Sequence, residues 1–204
     1  MGHAGAAAAA VRYLRSAGPA GPVEALPRPE LRCVRDGERA PVDQGEFRRV
    51  LGTFASGVAV VTAPAAEGEP GPAGFACQSF SSLSLDPPLV AFMVGRTSST
   101  WPRIARAGVF CVNVLGADQG ALCRAFAVSG ADKFAGVAYD AAPVSGAPRL
   151  VGAVSWIDCA VHAVHTGGDH LVVVGRVAAL GTADDDAPGG PLIFHRGRFA
   201  RLER

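Results

Sequence analysis

Lysine is all but missing from this chain: Lys133 stands alone beside eighteen arginines in 204 residues. Charge of either sign is scarce, at 18% of residues, and the two signs nearly cancel to a formal +1. No strong field therefore draws the chain to nucleic acid or to an acidic lipid surface. No apolar run reaches the roughly 20 residues of a spanning helix. The opening MGHAGAAAAAVRYLR lacks the unbroken apolar stretch and cleavage region of a secretory leader.

Several motifs are missing as well. Cys33, Cys77, Cys111, Cys123 and Cys159 are scattered, with no CxxC and no Cys/His cluster at metal-ligand spacing. Cys111 and Cys159 lie in apolar runs, as core residues do. A reducing cytoplasm is the compartment such cysteine usage suggests. No GxGxxG follows the first strand, and no GxxxxGK[ST] occurs, which argues against a Rossmann dinucleotide domain and a P-loop. Without a GxSxG elbow, the dispersed Ser, His and Asp residues make no hydrolase triad.

What is present is a composition 49% hydrophobic, with 26 Gly and 15 Pro. It suits one compact, strand-rich domain rather than a helical bundle. Residues 1–41 read as a flexible or loosely docked extension. Ala4 to Arg15 favours an Ala-rich helix, and GPAGPVEALPRP then breaks it. An arm that binds a partner or covers a subunit interface is the alternative there.

The ordered domain is expected over 42–204. Asp43 caps a helix whose Phe47, Val50, Leu51 and Phe54 recur at three- and four-residue spacing. Strands follow at Val58–Thr62, Phe75–Phe80, Leu89–Val94 and Val109–Leu115. Helices are expected from Ser98 or Ser99 to Ala107, with Pro102 in the first turn, and over 118–128. Ala153–His165 and His170–Leu180 flank the turn Thr166-Gly167-Gly168-Asp169. After a polar tract over 183–190, Leu192–His195 and Arg198–Leu202 form a last pair around Gly197. Many strands and few helices predict a closed or nearly closed barrel.

Three places carry candidate chemistry. Gln78, Ser79, Phe80, Ser81, Ser82 and Ser84 form a serine-rich loop of neutral donors, suited to the polar edge of a flavin. An ordinary turn, with serines bonding their own backbone, fits the same pattern. Ser98, Ser99 and Thr100 open a helix, where a phosphate or a simple cap would both be at home. Arg96 and Arg103 add charge nearby. His170 follows Gly168-Asp169 at the hairpin, placed to position a ligand or to satisfy backbone groups. Phe134 and Phe199 read as aromatic lids or as core. His162 and His165 sit three apart in a strand, on opposite faces, and make no metal pair.

Taken in order, FRRVLGTFASGVAVVT, GFACQSFSSLSLDPPLVAF, SSTWPRI, FCVNVL, DKFAGV, GDHLVVVGRV and PLIFHRGRF resemble the flavin reductase-like family. These proteins are the reductase components of two-component flavin-dependent monooxygenases. The resemblance covers about Glu46 to Leu202. It implies a mainly β fold, a split β-barrel that binds flavin, with a few short peripheral helices. It also implies a homodimer that uses NADH or NADPH to reduce FAD or FMN. Reduced flavin then diffuses to a separate monooxygenase. By the same resemblance, Cys77, Gln78, Ser79, Phe80, Ser81 and Ser82 would line the ring and ribityl chain. Ser98, Ser99 and Thr100 would face the ribityl phosphate, and Phe110 and Asn113 would sit close to the pocket. His170 would position the nicotinamide, with no acid or base needed, and Phe199 would border the flavin. Ala76 and Gln78 depart from the Thr or Ser and the Asn that many relatives carry there. A fold-mate that holds its flavin tightly for another substrate, or a non-catalytic flavin-binding module, is the competing expectation.

Overall fold

The computed structural model describes residues 42–130, 132–183 and 190–202. The expected extension over 1–41, and most of the polar tract over 183–190, lie outside the described residues. Helix α1 (Gln44–Leu51) starts where Asp43 accepts the Glu46 N–H at 2.9 Å, as its cap position predicts. After it come β1 (Ser56–Gly57), β2 (Ala59–Ala63), β3 (Ala73–Cys77), β4 (Ser81–Leu85) and β5 (Pro88–Gly95). Helix α2 (Trp101–Ala107), β6 (Val109–Val114) and helix α3 (Gly120–Ala127) follow. The rest is strand: β7 (Tyr139–Ala141), β8 (Pro148–Leu150), β9 (Ser155–Gly167), β10 (His170–Thr182), β11 (Ile193–His195) and β12 (Arg198–Ala200).

Seven strands make one antiparallel sheet, ordered β3-β2-β6-β9-β10-β5-β4. Its two edges, β3 and β4, are neighbours in sequence, joined only by Gln78, Ser79 and Phe80. From Cys77 to Ser81 the chain reaches at most ~14 Å. The edges must therefore curl round to meet, and the sheet becomes a barrel with a seam. Ser79 fastens that seam. Its hydroxyl accepts the Met93 N–H at 2.9 Å and donates to the Met93 carbonyl at 3.1 Å. A side chain thus takes both ladder groups of one residue on β5. The expected mainly β split barrel is the fold observed.

Both faces of β2 are buried, because α2 packs on one side and α3 on the other. Val61, Phe92, Phe110, Ile104 and Trp101 belong to the larger core. Phe92 is its hub, with ring centroids 5.2 Å from Phe110, 5.8 Å from Phe75 and 6.2 Å from Trp101. Gly175 makes room for this cluster, since a Cβ there would lie 2.3 Å from the Phe110 ring. Val58, Val60, Leu115, Cys123, Phe126 and Leu192 form the second core.

Several expectations shift. The serine-rich stretch is loop only from Gln78 to Phe80; Ser81–Leu85 pairs with β5 as an edge strand. The hairpin of β7 and β8 has weak alternation and was not foreseen. The Gly168-Asp169 turn is two residues long, with Gly168 at φ +65°, the geometry that favours glycine in tight hairpins. The apolar residues of α1 do not enter the core: Phe47 is 56% exposed and Leu51 54%, and Phe54, past the helix end at Leu51, is 80% exposed. Among the described residues, no helix is long and apolar enough to cross a membrane.

Candidate functional site

The seam leaves a hollow of about 510 Å³ between the end of β3 and β5. Phe75, Ala76, Cys77, Gln78 and Ser79 form one wall, and Met93, Val94 and Gly95 form another. Thr97, Ser98, Ser99 and Thr100 close one end, with Ser129 and Lys133, and His170 enters from the β9–β10 hairpin. The topology explains the meeting. His170 pairs with Gly95 across the sheet, so the hairpin turn comes to lie beside the loop that leads into α2.

Seven of the residues singled out in the sequence meet here: Cys77, Gln78, Ser79, Ser98, Ser99, Thr100 and His170. Their commitments differ. Ser79 is spent on the seam. Ser98, two residues before the Thr100 N-cap of α2, accepts the N–H groups of Thr100 at 3.3 Å and Trp101 at 3.2 Å. Gln78 is exposed and reaches into a second hollow as well. The His170 Nδ1 lies 2.8 Å from the Asp169 carboxylate, and this contact holds the Asp169 carboxyl below its usual range. With Nδ1 so engaged, Nε2 is the ring nitrogen left for a ligand. Burial pushes the Cys77 thiol up, so at neutral pH it is a protonated thiol, unsuited to nucleophilic attack.

Five expected residues lie elsewhere. Phe80 packs against the larger core. Ser81 and Ser82 are exposed on edge strand β4, because the strand begins one residue after Phe80. Phe110 is wholly buried inside the barrel. Asn113 is also wholly buried, and its amide is fully used. Its two Nδ2 hydrogens are shared among the Val60 carbonyl at 3.2 Å, Thr62 Oγ1 at 3.2 Å and the Pro148 carbonyl at 3.3 Å. Its Oδ1 accepts the Leu150 N–H at 2.7 Å. Asn113 thereby joins β2, β6 and β8, and its neighbourhood is the barrel wall rather than the hollow.

Phe199 borders a neighbouring, more apolar hollow of about 600 Å³, which shares Ala76, Gln78 and Ala127 with the first. Its ring meets Phe194 at 5.7 Å, and the Arg124 guanidinium sits 5.5 Å from its centroid, within cation–π range.

Lys133 is the residue that the sequence reading passed over. Its ammonium donates to the Gly74 carbonyl at 3.2 Å and the Phe126 carbonyl at 3.0 Å. Burial, with Arg103 nearby, pulls its pKa down. Being the sole lysine in the chain was the available signal. Among the described residues, no carboxylate pairs with it. The donor set of the central hollow is thus an amide, several hydroxyls, an imidazole and one ammonium, with no Asp or Glu in its lining. Such a set fits an uncharged aromatic ring system that carries a phosphate.

The model of the flavin reductase like domain matches residues 51–203. The chain belongs to this family. The reductase subunit HsaB of a flavin-dependent monooxygenase from Rhodococcus jostii is 44% identical over 162 residues, covering 79% of this chain and 80% of that protein. The crystal structure of nitrilotriacetate monooxygenase component B from Mycobacterium thermoresistibile superposes with a TM-score of 0.73 at 45% identity, covering 78% of this chain and 87% of that one. The NADH:FAD oxidoreductase of Streptomyces globisporus, solved with NAD and FAD fragments, gives 0.72 at 37% identity over 79% and 93% of the two chains.

The burial of Asn113 in the barrel wall can be tested apart from the hollow. Asn113→Ala takes the amide away from four buried partner groups and should cost about 2–4 kcal/mol in urea unfolding. Flavin affinity of the folded variant should change by less than about two-fold. A large loss of affinity at unchanged stability would return Asn113 to the binding site.

Proposed function

We propose that this chain is an NAD(P)H-dependent flavin reductase that delivers reduced FAD or FMN to a separate monooxygenase. The observation that carries the reading is the seam hollow, which is lined by neutral donors and one lysine and overlooked by His170. Bound flavin would supply the hydride acceptor. The Gln78 amide and the hydroxyls of Ser99 and Thr100 would orient it, and Lys133 would meet its phosphate. His170 would bond the nicotinamide carboxamide through Nε2 and hold the donor ring in place. Hydride transfer needs alignment rather than a protein base, and Cys77, as a thiol, takes no covalent part.

Release of the product is part of the task, and neutral donors hold a ligand loosely. Relatives named as an NADH-dependent FAD reductase and an NADH:FMN oxidoreductase support the reading and leave both flavins within the family. The four described cysteines are buried and unpaired, in keeping with a cytoplasmic home.

The test is NADH and NADPH oxidation measured with FAD, with FMN and with no flavin. Consumption should depend on added flavin. His170→Ala should raise the KM for NADH by roughly ten-fold, the worth of one lost hydrogen bond, while flavin binding is retained. Unchanged nicotinamide kinetics in the variant would contradict the role of His170.

The same reading includes a homodimer. Phe47, Val50 and Leu51 on α1, Phe54 just beyond it, and Leu83 and Leu85 on β4 are all exposed in the single chain. Apolar residues at helical spacing are retained where a surface is covered. Sedimentation equilibrium should give twice the chain mass, and Phe54→Glu should shift the protein toward monomer. A wild-type monomer at tens of micromolar would remove this element.

A further inference from the structure

Lys133 carries a nucleophilic atom that flavin reduction does not use. It stands between the seam hollow and a second hollow, also of about 510 Å³, and lines both together with Ser99 and Thr100. Arg103, Gly71 and Pro72 line the second hollow beyond it. Because Lys133 is the only lysine in the chain, amine-directed chemistry on a side chain falls there alone.

The hydrogen bonds at Lys133 suit its neutral form. Nζ lies 3.2 Å from the Gly74 carbonyl on β3 and 3.0 Å from the Phe126 carbonyl on α3. An ammonium has three hydrogens to place, whereas an amine has two. The two carbonyls take both hydrogens of the amine, and the remaining tetrahedral position holds its lone pair. Burial, and then the nearby Arg103 guanidinium, lower the pKa of Lys133, so more of it is amine at neutral pH than of an exposed lysine. Among the described residues no carboxylate pairs with Lys133 to oppose this. The nearby acids are engaged elsewhere. Arg103 and Arg106 both bind Glu69, and the Asp132 carboxylate accepts the Phe134 N–H at 3.2 Å.

An amine beside a guanidinium favours one type of electrophile. Arg103 attracts a phosphate, and the hydroxyls of Ser99 and Thr100 can donate to it. In an acyl phosphate a single oxygen separates the electrophilic carbon from phosphorus, so seating the phosphate brings that carbon to the amine. We propose that Lys133 is an acylation site for small acyl phosphates, and that acylation there switches off flavin binding. The Nζ lone pair attacks the acyl carbon, an N–C bond forms, and the C–O bond to phosphate breaks. The departing oxygen takes that bond's electron pair and the proton the nitrogen gives up, so the products are the amide and hydrogen phosphate. The amide keeps one N–H. One of the two carbonyls therefore loses its partner, and the positive charge is removed. The acylation site stands apart from the flavin reductase reading; the switch rests on that reading.

The test treats the full chain with acetyl phosphate and follows Lys133 by peptide mass mapping. Acetylation should run at least about ten-fold faster than that of Nα-acetyl-lysine amide in the same buffer. Inorganic phosphate should slow it, and should not slow labelling by the acetyl ester of N-hydroxysuccinimide, which has no phosphate to seat. FMN affinity, read by fluorescence quenching, should fall about ten-fold on acetylation. In Lys133→Arg, acetyl phosphate should leave the variant's own FMN affinity as it was before treatment, which separates Lys133 from acetylation at any other amine. A rate no higher than that of the free lysine derivative, or one that phosphate does not slow, would overturn the acylation site. Fast acetylation with unchanged FMN affinity would overturn the switch and remove Lys133 from the flavin site. Failure of the untreated chain to bind FMN or FAD would sink the reductase reading and the switch, while the rate comparison would still decide the acylation site.

Discussion

Three residues, Gln78 to Phe80, carry the chain from one edge of a seven-stranded sheet to the other. That short tether is the constraint on which the rest of the structure depends. It forces closure, yet it cannot supply a full ladder between β3 and β5. Ser79 supplies the missing pair of hydrogen bonds through one hydroxyl, to both backbone groups of Met93. The barrel is therefore shut at one point and open beside it. The opening is the hollow, and the residues that bound it are those nearest the fastening.

The electrostatics of the opening follow from what the sequence withholds. A chain with one lysine and few acids builds a site almost without charge. Neutral donors can orient a polar ring edge without holding it against release. The single ammonium is half-buried and tethered to two carbonyls, which fixes its place without neutralising it. Burial keeps the nearby thiol protonated, so the chemistry left to the protein is placement. In the proposed function His170 would serve that purpose, since Asp169 occupies one ring nitrogen and the hairpin pairing sets His170 beside the hollow.

How much could be read in advance depended on whether a residue's neighbours are local. The cap at Asp43, the Pro102 helix start, the β9–β10 hairpin and the final strand pair were legible, because each rests on a turn or cap within a few residues. The meeting of Gln78, Ser99 and His170 was legible only through the order of motifs, since their contact needs the whole sheet to close. Asn113 and Phe110 lie in a motif next to the site, yet their side chains face the barrel wall and interior. Strand alternation alone does not reveal which side holds a ligand. Ser81 and Ser82 read as loop because serine is a poor strand former, and edge pairing with β5 overrode that preference. The apolar stripe of α1 was legible as a stripe, but in the single chain it stays exposed rather than entering the core.

The central claim is that the flavin ring lies in the opening beside the Ser79 fastening. A crystal structure of the chain with FAD bound tests it most directly. The account predicts the ring between Gln78 and His170, with the first phosphate at Lys133. A ring seated outside this opening, with Lys133 touching no phosphate oxygen, would contradict it.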